Sequence, residues 1–276
     1  MIVDAHHHLW TADYAWLADP ALTRIRRDYT VEDLRTHLRA AGVDRTVLVE
    51  GGRGDDAETT RFLATAAAAP EIAGVVGWAS LTDPALADTL ARHREEPGGH
   101  LLVGIRDQAQ GHADDWLDRP EVRAGLRTVA AAGLVNELVV RLAQLPSVTG
   151  VAAALDATVV LDHLGKPQVR DGATGLARWR EAVAPVAGCP NVVAKLSGLV
   201  AEADWEHWTV ADLRPFVETA VELFGSDRLL FGSDWPVCEV AASYEEVKDA
   251  VVGILGGTPA DVFGGNAQRT YELEIR

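Results

Sequence analysis

Histidines 6 and 8 are the residues of this chain best placed to do chemistry. The run Ile2-Val3-Asp4-Ala5-His6-His7-His8-Leu9-Trp10 leads apolar residues straight into three imidazoles. On a strand, side chains alternate between faces, so His6 and His8 share one side and His7 turns to packing or solvent on the other. About 6.6 Å of strand rise separates the pair, which lets both converge on one ion or one substrate atom. Near the other end, Leu229-Leu230-Phe231-Gly232-Ser233-Asp234-Trp235-Pro236 carries an apolar run into a glycine and then a lone carboxylate. A carboxylate beside imidazoles stays ionised and accepts a proton from water, so Asp234 is the candidate general base. Its alternative role is to cap the helix that follows.

Further polar residues stand at the ends of hydrophobic runs: Glu50, Arg106 with Asp107, Asp162 with His163, and Lys195. Charges at so many run ends are costly unless they pair or act. Asp162 and Lys195 are readable equally as a structural ion pair or as reactive groups, and Glu50 as a satisfied core carboxylate.

A parallel barrel would bring these ends to one mouth. Short β-branched runs occupy 2–8, 46–51, 74–81, 102–108, 135–141, 158–165, 191–198 and 228–235. Several are apolar throughout, which suits strands covered on both faces. Helical patterns lie between and after them, at 34–41, 55–69, 84–96, 120–132, 147–154, 176–187, 210–224 and 243–255. Thr30 with Asp33 reads as the first cap, and Gly42, Gly133, Gly188, Gly225 and Gly256 sit where helices should stop. Eight alternating units predict an α/β fold, a (β/α)8 TIM barrel formed by the 276 residues as one domain. An open doubly wound sheet is the alternative; it would carry a glycine-rich phosphate turn where this chain has its histidines. The longest irregular pieces, 10–29, 109–119, 166–175 and 199–209, follow strand ends on the face where barrels keep their sites. They hold Trp16, Trp116, Trp205 and Trp208, readable as ligand walls or as lid packing.

The totals narrow the partners. A net charge of −16 disfavours nucleic acid and anionic membranes. Cys189 and Cys238 form no CxxC pair and read as reduced thiols. Neither a leader nor a membrane-spanning run is apparent, and a cytoplasmic location is expected. Oligomeric state is not legible.

Four stretches together resemble the amidohydrolase superfamily, in its branch of sugar-lactone hydrolases. They are Asp-Ala-His-His-His-Leu-Trp at 4–10, Leu-Asp-His-Leu-Gly-Lys-Pro at 161–167, Lys-Leu-Ser-Gly-Leu at 195–199, and Leu-Phe-Gly-Ser-Asp-Trp-Pro-Val-Cys at 230–238. Gly-Ile-Arg at 104–106 lies between them. The resemblance implies a distorted (β/α)8 barrel with His6, His8, His163 and Asp234 as its core, and an aspartate general base that opens a sugar-acid lactone. The same four residues make a set for one divalent ion, zinc or manganese, and relatives of this kind occur both with and without a metal requirement. Trp10 and Trp235 are expected to stack on a sugar ring, Arg106 to contact the substrate, and Lys195 or Glu50 to bond its hydroxyls. Asp107, where a histidine is expected, and Glu137, where an aspartate is more usual, depart from the pattern and bear on the substrate. A metal-dependent decarboxylase and a barrel that binds sugar acids without turnover are the rival readings.

Overall fold

The computed structural model describes residues 1–274. Its centre is one eight-stranded sheet: β1 (Val3–His7), β2 (Arg45–Val49), β3 (Ile72–Gly77), β4 (Leu102–Ile105), β5 (Val135–Leu138), β6 (Val159–Leu161), β7 (Val192–Leu196) and β8 (Leu229–Phe231). Neighbours in the sheet are neighbours in sequence, and all seven ladders are parallel. Helices α1 (Val31–Ala41), α2 (Asp56–Ala68), α3 (Leu86–Glu95), α4 (Pro120–Ala131), α5 (Leu145–Ala154), α6 (Gly172–Ala187), α7 (Val210–Phe224) and α8 (Tyr244–Leu255) alternate with the strands. The expected (β/α)8 barrel is what these residues build.

Local chemistry sets the helix ends. Thr30 caps α1 through a reciprocal box with Asp33, and Ser243 caps α8 through one with Glu246. Gly42 ends α1 with φ 63°, a left-handed conformation that costs glycine little. Gly188, expected to do the same, ends α6 in the right-handed region at φ −67°.

The strands are apolar on both faces because both are covered. Val3, Ala5, Val47, Val49, Val76, Val160 and Leu230 fill the interior, and a larger cluster fills the space between sheet and helices. A short helix, α9 (Asn266–Thr270), was not anticipated from the sequence. It delivers Ala267, Tyr271 and Leu273 into the interior cluster, opposite the end that carries His8.

The barrel is distorted at its seam. Between β8 and β1 no regular ladder forms. Instead His8 N–H donates to the Trp235 carbonyl at 2.7 Å and Asp234 N–H to the His6 carbonyl at 2.9 Å. Gly232 permits this approach, since a Cβ there would lie 2.7 Å from His6 Cβ. All eight strands are shorter than expected, β6 and β8 most of all. The runs at 158–165 and 228–235 leave the sheet after Leu161 and Phe231, because His163 and Asp234 take positive φ, 51° and 57°, which no strand accommodates.

Candidate active site

The ends of β1, β6 and β8 bring together the imidazoles and the carboxylate that the sequence places far apart. Asp234 Oδ1 lies 3.5 Å from His8 Nε2, 3.7 Å from His6 Nε2 and 3.9 Å from His163 Nε2. His6 Nε2 and His8 Nε2 are 3.1 Å apart. Both His163 and Asp234 hold the left-handed backbone that non-glycine residues rarely adopt, a strain that persists where the surrounding structure over-determines it. Gly198 makes room for the first of these, since a Cβ there would stand 2.6 Å from His163 Nδ1.

Behind each imidazole stands an orienting partner. His8 Nδ1 lies 3.0 Å from the Val49 carbonyl, so that nitrogen donates and the Nε2 lone pair faces the site. His163 Nδ1 is 2.8 Å from Ser197 Oγ, which serves as donor or acceptor. His6 Nδ1 sits between the Lys195 ammonium at 2.9 Å and Asp162 Oδ1 at 3.3 Å. His7 points away and meets Thr46 Oγ1 at 3.0 Å, the packing role expected of it.

A buried charge network supports the cluster. Arg106 donates from Nε to Glu50 Oε1 at 2.6 Å, from Nη1 to Asp162 Oδ2 at 2.7 Å, and from Nη2 to the Glu50 carbonyl at 2.7 Å. Lys195 donates to Glu137 Oε1 at 2.5 Å, and the Tyr271 hydroxyl donates to Glu137 Oε2 at 2.6 Å. Thus α9 closes the barrel floor and touches the back of the site.

Burial governs the protonation states. It depresses His6 well below the ordinary histidine value, helped by Lys195, and lowers His163 to about 4 although Asp234 pulls the other way. Burial alone would raise Asp234, but the His163 and His8 imidazoles more than offset it, and the carboxyl is lowered. Glu137 is pushed up to about 7, first by burial and then by Asp162, against the pull of Lys195. At neutral pH the His6 and His163 imidazoles are therefore neutral and Asp234 is ionised.

The donor set fits a divalent ion. His6, His163 and Asp234 each offer a ligand atom, all within 4.8 Å of one another, and His8 adjoins two of them. Ligand bonds of ~2.0–2.1 Å in a tetrahedron place ligand atoms about 3.3 Å apart; the His6–His8 distance and the three distances from Asp234 to the imidazoles run from 3.1 to 3.9 Å, and His6 and His163 lie within 4.8 Å of each other. Buried Asp162 Oδ1 has no hydrogen-bond partner among the described residues. A proton on His6 Nδ1 would supply one and free Nε2 as a ligand. Four carboxylates (Glu50, Glu137, Asp162, Asp234) face two cations (Arg106, Lys195), formally a surplus of two negative charges.

A cavity of about 410 Å³ opens above the cluster, and His8, Trp10, Arg106, His163 and Asp234 are among its lining residues. Trp10 and Trp16 meet edge to face there, with ring centroids 5.0 Å apart. Other expectations need correction. Trp235 does not line the cavity: it follows Asp234 directly, and its buried indole donates to Glu239 and packs on Tyr29 and His37. Lys195 and Glu50 are wholly buried behind the cluster and engaged there, so neither meets a substrate hydroxyl directly. Of the four loop tryptophans only Trp16 faces the cavity. Trp116 stacks on His112, and Trp205 and Trp208 pack partly buried against the core.

Asp107 turns aside to accept from Leu81 N–H at 3.2 Å. Sequence reasoning missed Ser197, Lys166, Glu202 and Tyr271. The first two lie inside stretches quoted for the resemblance, Glu202 lies in a loop already marked, and Tyr271 carried no signal.

The chain's similarities agree with this geometry. A model of the family described as Amidohydrolase matches residues 3–273. The chain is 39% identical over 290 residues to an L-fucono-1,5-lactonase of Burkholderia multivorans, covering 98% of this chain and 96% of that protein. It is 32% identical to an L-fucono-1,5-lactonase of Burkholderia ambifaria, covering 99% and 96%. The crystal structure of an amidohydrolase from Burkholderia multivorans with bound zinc has TM-score 0.92 and 36% identity, covering 99% of each chain.

Proposed function

We propose that this chain, which belongs to the amidohydrolase family, is a hydrolase that opens sugar-acid lactones, with Asp234 as general base. The observation that carries this reading is the ionised Asp234 carboxylate at the base of the cavity, within 3.9 Å of three imidazoles. A lactone is an ester strained into a ring, and opening it needs a water activated on one side and an oxyanion stabilised on the other.

In this reading, Asp234 takes a proton from a water as the water oxygen bonds the lactone carbonyl carbon. Neutral His163, with its Nδ1 accepting from Ser197, presents Nε2–H to the developing oxyanion, and Arg106 adds positive potential. The tetrahedral carbon then expels the ring oxygen, which receives the proton held by Asp234, and the acid is released with its chain open. In the other tautomer, with His163 Nδ1 donating to Ser197, His163 Nε2 would join His6 and Asp234, with His8 beside them, in holding a divalent ion, which would supply Lewis-acid polarisation of the carbonyl when bound. Trp10 offers the sugar ring an apolar face. The substrate is a small molecule. Among the described residues no helix is long and apolar enough to cross a membrane.

A panel of aldonolactones, assayed with a pH indicator because each opening releases an acid, tests the reading. Turnover of sugar δ-lactones is expected. Binding without acid release, or carbon dioxide release from carboxylic acids in place of lactone opening, would overturn it in favour of a binding barrel or a decarboxylase.

A further inference from the structure

Two charged side chains on the cavity wall have no part in the chemistry above. Lys166 follows the His163 turn directly, at φ 56°, and its N–H donates to the His163 carbonyl at 2.8 Å. Glu202 sits across from it in the loop after β7, fixed by its N–H to the Leu199 carbonyl at 3.2 Å and by Arg170 N–H to its own carbonyl at 3.1 Å. Lys166 Nζ and Glu202 Oε1 are 3.7 Å apart, close enough to attract and too far for a direct hydrogen bond. The side chains are 28% and 29% exposed, and both line the cavity. Among the described residues, neither side chain is hydrogen-bonded within the protein.

We infer that Lys166 and Glu202 read the hydroxyls of an uncharged polyhydroxy lactone and reject substrates that carry a carboxylate. The inference rests on the lactonase reading and names the substrate class for that site. A hydroxyl is donor and acceptor at once, so one hydroxyl, or a neighbouring pair, bridges the gap by accepting from the ammonium and donating to the carboxylate. A carboxylate only accepts, and it would face both Glu202 and Asp234. Among the described residues, no other cation on the wall compensates. Arg106 is the remaining one, and its guanidinium is already spent on Glu50 and Asp162. The opposite wall repeats the logic: Gln108 is bonded to Glu50 and Gln110 to Gln108, while Trp10 and Trp16 present apolar surface.

The rival account makes Lys166–Glu202 a mere clasp between two loops, and the split between substrates separates the two. Wild type, Glu202→Gln and Lys166→Met are compared on L-fucono-1,5-lactone, on unsubstituted δ-valerolactone, and on a δ-lactone bearing a ring carboxylate, with Tm measured in parallel. Both variants are expected to raise KM for the hydroxylated lactone about tenfold and to leave KM for δ-valerolactone unchanged. Glu202→Gln alone should improve kcat/KM for the anionic lactone, by about tenfold. Equal losses on all three substrates with a lowered Tm, or no change on any, would overturn the assignment. A wild type that opens neither the hydroxylated nor the plain lactone would instead remove the lactonase reading on which it rests.

Discussion

Asp4 and Ser233 lie 229 positions apart and are joined by two hydrogen bonds, from the Ser233 N–H to Oδ1 at 2.9 Å and from its hydroxyl to Oδ2 at 2.6 Å. The same carboxylate accepts from His6 N–H at 3.0 Å and from the Tyr244 hydroxyl at 2.9 Å. One buried side chain therefore fixes both the strand carrying His6 and the turn carrying Asp234, at the seam that lacks a ladder. Asp4→Ala is expected to leave up to four donors without their acceptor. Each such loss costs about 1–3 kcal/mol when the group stays dry. A lowered denaturation midpoint is predicted, with a fall in kcat larger than the change in KM. Unchanged midpoint and kcat would show that the seam holds without this residue.

Asp234→Asn removes the base and keeps the shape. Loss of a positioned general base lowers kcat by about 10²–10⁴, with KM little altered and the circular dichroism spectrum preserved. Activity within a few-fold of wild type would assign the base elsewhere.

Metal binding has a readout independent of turnover. Purified protein is expected to take up one divalent ion per chain by elemental analysis. A chelator should lower Tm, since a ligand at 100 times its Kd stabilises a fold by about 2.7 kcal/mol. Ser197→Ala, which strips His163 Nδ1 of its 2.8 Å partner, should weaken zinc affinity about 10–100-fold by calorimetry. Equal zinc affinity in the two proteins would exclude His163 as a ligand.

Glu58 provides a pH test away from the cluster. Burial, then the charge of Glu50, pushes its carboxyl up to about 7 in the folded chain, where the Tyr14 hydroxyl and the Gly51 N–H donate to it. Its unfolded value is the usual one near 4.5. The folded state thus holds the proton more tightly. The stability this contributes is full below the unfolded value and is lost as pH rises through the folded one. Between about pH 4.5 and 7 the loss amounts to about 3 kcal/mol. Wild type should therefore fall relative to Glu58→Gln in urea midpoints taken at pH 5 and pH 8. A pH-independent difference between the two would show that Glu58 titrates normally.

The sequence made the barrel legible because strand periodicity and strand ends are local properties. His6, His8, His163 and Asp234 were readable for the same reason: each closes an apolar run. Backbone reversals were not. Nothing in the run through Trp235 announces the left-handed residue before it, and the indole expected to stack on a sugar ring packs against Tyr29 and His37 instead. Lys195 and Glu50 misled in another way. A charge at a strand end marks proximity to a site, but whether it faces the ligand or the floor depends on partners such as Glu137 and Arg106 that sit on other strands.

The floor contact of Tyr271 with Glu137 bears on how the chain is made. Translation delivers His6 and His8 before the charges that surround them, and Asp234, the seam and the floor contact after all of these. A nascent chain halted before residue 229 holds seven strands with two bare edges and lacks Ser233 and Tyr244 to bond Asp4, a species open to edge-to-edge association. The ribosome must therefore pass Tyr271 before the first substrate can be turned over.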